Sequence, residues 1–455
     1  MKKIKFLIAL WVSKSVMLLA KILHKNGSMI SGKVAISIQK DFVKYFSNID
    51  YDKTIFITGT NGKSTTTNLL AHTIKKSDRL IATNIEGANM MSGVATTLVK
   101  NSNIFGKFNK EFLVLEIDER SLQKIYEYLP ARNLCVSNIQ KDQVQRNGEP
   151  DYIYKKIQSV INDNMRLFLN NEEARSKSFE DFTKDVIYYS VTKNEKSFTK
   201  EKFYDVTMPC PKCNNKIYYN YYNVDNIGDF KCMYCDFKSE SKPNFKITNI
   251  DYEKNQFTCN NELYDMPYNQ AFFMYNYALV IAICKTFGIE YKQIKEAFKS
   301  FKNISGRLET IHYKDKKIKY IRMKQENPET LQSAFDYIAQ DKTNKVFMLG
   351  LEQLEDFKPY YTNTFYAFDC DLDELIDSNI EKYICFSKAV SYDTANRLIY
   401  AGVEREKIVI IPSDSNEEIF KEIDKCECDN IYLITWLHKY EELIEDVKKG
   451  EKNEK

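Results

Sequence analysis

Residues 54–70 read TIFITGTNGKSTTTNLL. An apolar, β-branched run breaks into a glycine turn, and a Lys-Ser-Thr cluster then opens a helix that continues through Leu69 and Leu70. Strand, glycine loop and helix start, in that order, hold a triphosphate, because loop N–H groups and the positive end of the helix dipole face its oxygens. The spacing G-T-N-G-K-S is shorter than the general GxxxxGK(S/T) pattern. The alternative is a Gly-Lys turn that binds no ligand.

The loop therefore predicts an ATP site. We expect Lys63 to place a charge at the terminal phosphates, where it is a catalytic candidate, and the Ser64 hydroxyl to ligate Mg²⁺. Glu116 ends a strand at the same edge of the sheet and is the best second magnesium ligand and a further catalytic candidate, with a solvated strand-end carboxylate as the alternative. Lesser candidates are Asp142, Asn138 and Asp118. The predicted nucleotide-binding residues of the loop are Gly59, Thr60, Asn61, Gly62, Lys63, Ser64 and Thr65.

Three blocks downstream of the loop narrow the prediction. They read NIEGANMMSG at 84–93, LEIDERSL at 115–122 and SNIQKDQVQRNGE at 137–149. With the short loop, they resemble the MurT branch of the Mur ligase family, and Asp142-Gln143 stands where ordinary Mur ligases carry Asp-His. The resemblance implies an ATP-dependent ligase that activates a carboxylate as an acyl phosphate and couples it to an amine.

Further site residues follow from the resemblance. It implies that Asn276 lies near the nucleotide base, with a helix-start cap as the alternative. The segment SGRLE at 305–309 is similar to the family's junction with the C-terminal domain, where Arg307 reaches the triphosphate; the alternative is an inter-domain salt bridge. In the C-terminal domain, Asn363 stands at the position of the aspartate that completes a partner's catalytic triad, and Asp356 is the alternative residue for that role.

The resemblance also implies the substrate and the partner. The chain would amidate the D-glutamate α-carboxylate of the lipid II stem peptide to D-isoglutamine at the membrane surface. Ammonia would come from a GatD-like glutaminase in a heterodimer, since this chain has no G-x-C-x-G elbow of its own. The alternatives are a Mur-like amino-acid ligase with another acceptor and a non-catalytic nucleotide-binding paralog.

Four cysteines form a second motif. Cys210, Cys213, Cys232 and Cys235 have the C-x₂-C…C-x₂-C spacing of a four-thiolate zinc ribbon, and the alternative is four unrelated reduced thiols. Four thiolates leave no open coordination position, so the predicted role is structural. The aromatic stretch between the two pairs predicts a hairpin with Gly228 near its turn.

Composition excludes some classes of protein. The net charge of +3 on 455 residues gives no basic footprint for a nucleic-acid partner. Eleven cysteines in so long a chain indicate reduced thiols and a cytoplasmic location rather than a disulfide scaffold.

The apolar run in the basic N-terminus (MKKIKFLIALWVSKSVMLLAKILHK) is too interrupted by polar residues to span a bilayer. We interpret it as an amphipathic helix packed on the first domain, with peripheral contact at the inner face of the membrane as the alternative.

The chain predicts an α/β protein with a parallel sheet in a Mur ligase-like ATPase domain, followed by a second α/β domain. Predicted strands of the first are 55–57, 112–116, 134–136 and 167–170, and those of the second are 318–323, 346–351, 383–386, 408–411 and 431–435. The predicted divisions are an N-terminal helix and lead-in at 1–40, the ATP-binding domain at 41–304 with the ribbon inserted at about 205–242, the C-terminal domain at 305–447 and a frayed charged tail at 448–455.

Overall fold

In the computed structural model, the described residues are 2–22, 29–85, 89–142, 148–199, 208–224, 226–301, 308–323, 325, 327–352 and 367–453. The chain forms two compact units. Unit 1 contains residues 1–140 and 147–303, and unit 2 contains residues 141–146 and 304–455.

The described part of unit 1 is built on a nine-stranded sheet in the order β11-β10-β9-β6-β5-β4-β1-β3-β2. Strands β1 to β6 form the predicted parallel sheet, although β2 and β6 were not among the predicted strands. Strand β9 joins β6 in parallel, and β9, β10 and β11 pair antiparallel with one another as a meander that was not predicted. The strands are β1 Thr54–Thr58, β2 Ile81–Thr83, β3 Phe112–Glu116, β4 Asn133–Val136, β5 Arg166–Asn170, β6 Asp185–Val191, β9 Phe245–Asp251, β10 Gln256–Cys259 and β11 Glu262–Asp265.

Helices cover both faces of this sheet. Ile55 and Ile57 of β1 enter one core cluster, and Phe56 between them enters the other, as the two-residue period of a strand requires. The helices are α1 Lys2–Ile22, α2 Ile30–Ile38, α3 Lys63–Lys76, α4 Met91–Lys100, α5 Leu122–Tyr128, α6 Pro150–Gln158, α7 Ala174–Lys177, α8 Phe273–Thr286 and α9 Tyr291–Ser300.

The N-terminal helices belong to unit 1. Phe6 of α1 is buried against the rings of Phe42 and Phe46, each with a centroid separation of 5.2 Å. Gly32 of α2 lies so close to α4 that an added Cβ would stand 2.0 Å from the Ser92 carbonyl oxygen. Among the described helices, none combines the length and apolarity needed to cross a bilayer.

A two-stranded hairpin, β7 Ile217–Val224 with β8 Ile227–Cys232, joins the two cysteine pairs. Gly228 is the second residue of β8, at the end of the hairpin where β7 and β8 connect, so the prediction of a glycine near the turn is confirmed. A close backbone approach requires glycine there, because a Cβ at Gly228 would stand 2.0 Å from the Tyr221 carbonyl oxygen.

The described part of unit 2 has a six-stranded sheet in the order β12-β13-β17-β14-β15-β16. All predicted strands are present, and β12, which pairs antiparallel with β13, is additional. The strands are β12 Leu308–Tyr313, β13 Lys316–Ile321, β14 Lys345–Gly350, β15 Ile380–Phe386, β16 Ile408–Ile411 and β17 Asn430–Ile434, and the helices are α10 Pro328–Gln340, α11 Asp373–Ile376, α12 Ser391–Tyr400, α13 Asn416–Asp424 and α14 Leu437–Asn453.

The charged tail predicted from Lys448 begins within a helix. Helix α14 continues to Asn453, and Lys449 pairs with Glu445 and Asp446 at 3.8 and 3.3 Å. Charge pairs at this spacing support an exposed helical turn.

Candidate active site and four-cysteine centre

The predicted phosphate loop connects β1 to α3. Gly59 and Gly62 have left-handed backbones, with φ of +116° and +86°. A Cβ at Gly59 would stand 2.4 Å from Ser137 Oγ, and one at Gly62 would stand 2.4 Å from Asn276 Oδ1. Both positions therefore require glycine for conformation and for space.

Strand order brings two other loops beside this one. Because β1 lies between β3 and β4, the segments that follow those strands meet the loop at one edge of the sheet. From the segment after β4, the Asn138 carbonyl accepts the Thr60 N–H (2.8 Å), and Asn138 Oδ1 accepts the Asn61 N–H (2.9 Å). The Asn61 amide donates to Gln140 Oε1 at 2.8 Å. These contacts fix the first half of the loop.

The second half of the loop suits an anion. Gly62 is the N-cap of α3 and, as a glycine, makes no side-chain cap bond to the first turn of the helix. Thr65 is buried, and the Ser64 side chain is exposed at the same turn. An uncapped helix start after a glycine turn fits a triphosphate.

Lys63 is buried in the loop. Its ammonium lies 2.8 Å from Glu119 Oε1 and 3.1 Å from the Thr60 carbonyl oxygen, and it also contacts the Gly59 carbonyl oxygen. Glu119 Oε1 accepts the Gly59 N–H as well (3.1 Å). Glu119 was not among the predicted site residues, although it stands three residues after Glu116 in the LEIDERSL block.

Glu116 ends β3 directly beside Ile57 of β1. The Asn84 side chain bonds both the N–H and the carbonyl of Glu116, at 2.9 and 2.8 Å, and the Asn89 amide donates to Glu116 Oε1 at 3.4 Å. The carboxylate is thus held half-buried at the edge where the loop begins. Hard oxygen donors such as this carboxylate and the Ser64 hydroxyl suit Mg²⁺.

Asn276 lies in the first turn of α8 but does not cap it, because the N-cap is Phe272 and the helix has no side-chain cap bond. Its Oδ1 instead accepts a 3.3 Å hydrogen bond from Thr66 Oγ1 and rests against Gly62. The structure thus brings Asn276 to the phosphate loop.

Other predicted site residues are placed elsewhere or are not described. Asp142 is buried in unit 2, where it accepts from the Asn327 amide at 3.2 Å. Asp118 pairs with Arg120 at 3.3 Å. Arg307, Asn363 and Asp356 lie outside the described residues.

The four predicted cysteines converge. Their Sγ atoms all lie within 4.8 Å of one another, with Cys213–Cys232 at 3.5 Å and Cys210–Cys235 at 3.8 Å. Tetrahedral zinc with Zn–S bonds of about 2.3 Å separates its sulfurs by about 3.8 Å, so the cluster fits zinc. The Asn215 amide, which donates to Cys213 Sγ at 3.5 Å, lowers the pKa of that thiol to about 6.

The ribbon docks on the body of unit 1 through buried polar contacts. The Glu240 N–H donates to Asn171 Oδ1 at 2.8 Å, and the Gly228 N–H donates to the Glu172 carbonyl at 3.1 Å. Lys177, whose side chain is 1% exposed, lies 3.4 Å from Glu240 and 5.5 Å from the centroid of the Phe237 ring. The hairpin is therefore an integral part of the unit.

Comparisons with known proteins agree with this architecture. Residues 57–218 match the Mur ligase middle domain, and residues 325–439 match the MurT ligase C-terminal domain. The lipid II isoglutaminyl synthase (glutamine-hydrolyzing) subunit MurT of Staphylococcus aureus (strain COL) is 26% identical over 362 residues, 79% of this chain and 80% of the relative. The subunit of that name from Streptococcus pneumoniae (strain ATCC BAA-255 / R6) is 26% identical over 419 residues, 90% of each chain. A solved pseudomurein peptide ligase type C from Methanothermus fervidus aligns with a TM-score of 0.62 at 19% identity, over 90% of this chain and 81% of that one.

The loop, the sheet that carries it and the middle-domain match define a Mur-type ATP-dependent ligase, a fold that implies ATP binding. The C-terminal part of this chain, residues 325–439, matches the MurT type of domain, which distinguishes the chain from an ordinary Mur ligase. Over most of its length the chain is therefore similar to MurT subunits, and its C-terminal domain is of the MurT type.

Proposed function

We propose that this chain is the synthetase subunit of a lipid II isoglutaminyl synthase. It would use ATP to activate the D-glutamate α-carboxylate of the lipid II stem peptide as an acyl phosphate, and ammonia would then displace phosphate to give D-isoglutamine. The observation that carries the proposal is the phosphate loop with its buried Lys63, in a chain whose C-terminal half matches the MurT type.

At the ATP site, the first-turn N–H groups of α3 would bind the phosphates. Lys63 would exchange its contacts with the Gly59 and Thr60 carbonyls for contacts with phosphate oxygens. Glu119, fixed by the Gly59 N–H, would hold the lysine close enough for that exchange. Ser64 and Glu116 would hold Mg²⁺, which supplies charge neutralisation to the phosphoryl group in transfer. The Asn84 and Asn89 amides would keep Glu116 in place. The cysteine cluster would hold Zn²⁺ in a structural role.

Ammonia would come from a separate, GatD-like glutaminase subunit. A glutaminase needs a reactive thiolate. Of the seven cysteines outside the cluster, burial raises the pKa of Cys135, Cys259, Cys284, Cys385 and Cys426. These thiols are poor nucleophiles, which supports a partner as the ammonia source. We further propose that the complex works in the cytoplasm, at the inner face of the membrane.

Mass spectrometry of lipid II in detergent micelles tests the synthetase. The full chain, ATP, Mg²⁺ and ammonium are expected to give the acid-to-amide mass change, since free ammonium bypasses the partner. Lys63→Ala should abolish it, and Lys76→Ala, at the exposed far end of the same helix, should not. Absence of the amide product, with ATP still bound, would exclude lipid II amidation by this chain and favour another acceptor or a non-catalytic paralog.

A further inference from the structure

Helix α1 has two apolar faces. One is buried in unit 1 and includes Phe6, Ala9 and Leu10. The opposite face is a stripe of exposed side chains spaced by four, three, seven and four residues, which returns each one to the same side of the helix. The stripe comprises Ile4, Ile8, Trp11, Leu18 and Ile22, whose side chains are 48–66% exposed.

A tight turn extends this stripe. Ile104 and Phe105 are 57% and 67% exposed, and the Trp11 indole donates to the Ile104 carbonyl at 2.8 Å. Gly106 closes the turn against the Phe6 ring, where an added Cβ would stand 2.5 Å from Phe6 Cζ. The turn is therefore fixed beside Trp11. We refer to the stripe together with Ile104 and Phe105 as the N-terminal apolar surface.

The orientation of α1 is also fixed. The Lys14 ammonium donates to the Val99 and Ser102 carbonyls, both at 2.7 Å, and the Ser13 hydroxyl donates to the Ser31 carbonyl at 2.9 Å. These bonds hold the inner face of the helix against unit 1. The outer face cannot turn inward without breaking them. Contiguous exposed apolar side chains of this extent mark an interaction site.

Charge indicates what this surface meets. Residues 1–40 contain eight lysines and no acidic residue, a formal charge of +8. The whole chain carries +3, so the rest of it carries −5. Lys2, Lys3 and Lys5, at the start of the stripe, are exposed. A basic helix with an apolar face containing tryptophan fits an anionic lipid surface. A second copy fits less well, because pairing would bring two such charges together.

We propose that the N-terminal apolar surface lies in the interface of an anionic membrane, with α1 parallel to the lipid plane. The apolar stripe and Phe105 enter the boundary between headgroups and acyl chains, and the lysines contact lipid phosphates. This placement holds the ATP site beside a substrate anchored in the same membrane. The benefit of bringing the ATP site close to the substrate rests on the proposed function, whereas membrane binding itself does not.

Tryptophan fluorescence and vesicle sedimentation test the proposal. The chain has two tryptophans, so Trp436→Phe leaves Trp11 as the reporter. Vesicles of phosphatidylglycerol and phosphatidylcholine should sediment the unmodified chain and shift Trp11 emission to shorter wavelength, and phosphatidylcholine alone should do so weakly. The variant Ile8→Asp/Phe105→Asp should lower partitioning by at least about tenfold, since it places charge in apolar lipid. Leu263→Asp, at an equally exposed residue of β11, should leave it unchanged.

Equal partitioning of the double variant and the unmodified chain would overturn the proposal. So would self-association in the absence of lipid that the double variant abolishes, because a second copy would then be the occupant. Amidation assays in micelles and in vesicles distinguish a failure of membrane binding from a failure of the proposed function. The double variant should amidate lipid II in detergent micelles normally and lipid II in vesicles poorly. Vesicle binding without amidation in either setting would refute the proposed function alone.

Discussion

The Lys63 ammonium and Glu119 Oε1 lie 2.8 Å apart, and both side chains are less than a tenth exposed. The same carboxylate oxygen accepts the N–H of Gly59, the first residue of the loop. One acid from the segment after β3 thus holds both the cation of the phosphate loop and its first backbone donor. The pair links the segments after two parallel strands at the edge of the sheet that carries the predicted phosphate loop.

Glu119→Gln should weaken ATP binding by about tenfold, because Lys63 loses the charge that positions it. It should also lower the free energy of unfolding by about 3 kcal/mol, since a buried cation is left without its anion. Titration with a fluorescent ATP analogue and denaturant unfolding measure the two effects. Glu111→Gln is the control: Glu111 pairs with Lys53 and Arg79 but is one-third exposed, so both effects should be small. Equal effects of the two substitutions would show that the Lys63 contact has no special role.

Gly62→Ala should abolish ATP binding. At φ +86° an alanine is strained, and its Cβ would stand 2.4 Å from Asn276 Oδ1, so the loop must shift. Gly288→Ala is the matched control, because Gly288 has a similar φ of +71° but no described atom within 4 Å of an added Cβ. Gly288→Ala should cost about 1 kcal/mol of stability and leave ATP affinity unchanged. Isothermal titration with ATP distinguishes the two, and a normal affinity for Gly62→Ala would contradict the role of this contact.

The sequence predicted what is encoded in contiguous residues. The loop, the strands of both sheets and the cysteine pairs each occupy a short stretch whose pattern determines its local structure. Glu119 could not be assigned in this way, because its contact with Lys63 depends on β1 lying beside β3, which is a property of strand order. Asn276 was placed near the nucleotide only through the family resemblance, because its partner Thr66 is 210 residues away in the sequence. Strands β2, β6 and β9–β12 were not predicted: β2, β10 and β11 have only three or four residues, and β9–β11 follow the inserted ribbon.

Glu116→Gln should raise the Mg²⁺ concentration that gives half-maximal ATP turnover, since an amide is a weaker magnesium ligand than a carboxylate. We expect a shift of about tenfold, the size of effect that one positioned ligand contributes. ATP binding in the presence of excess chelator should not change. Asp118→Asn, two residues away and paired with Arg120, is the control and should keep the normal Mg²⁺ dependence. An unaltered Mg²⁺ titration for Glu116→Gln would remove Glu116 from the metal site.

Cys232→Ser should lose the bound zinc and lower the melting temperature, because three thiolates hold the ion poorly and the hairpin then separates from Lys177 and Asn171. ATP affinity should be retained, since the phosphate loop shares no contact with the ribbon among the described residues. Elemental analysis and thermal unfolding measure the first two properties. Cys428→Ser, outside the cluster, should keep its zinc and its melting temperature.

Glu172 predicts how stability depends on pH. Burial raises its pKa to about 7, although Ser190 Oγ and the Val191 N–H (3.0 Å) both donate to it. An unfolded glutamate has a pKa of about 4.3, so between that value and about 7 the folded chain binds the extra proton. The contribution of Glu172 to stability is therefore fully present at low pH and is lost as pH rises through this window.

Glu172→Gln removes that loss, because a neutral amide fills the same site without ionising. The variant should match the unmodified chain near pH 4 and melt at a higher temperature near pH 8. Glu253→Gln, at an exposed residue, should follow the unmodified chain at both values. Because the Glu172 carbonyl also accepts the Gly228 N–H of the ribbon, the pH-dependent step should include local opening there, measurable as faster amide exchange at Gly228 above pH 7. Parallel melting curves for Glu172→Gln and the unmodified chain across this range would show that the carboxyl stays protonated or that its charge is otherwise compensated.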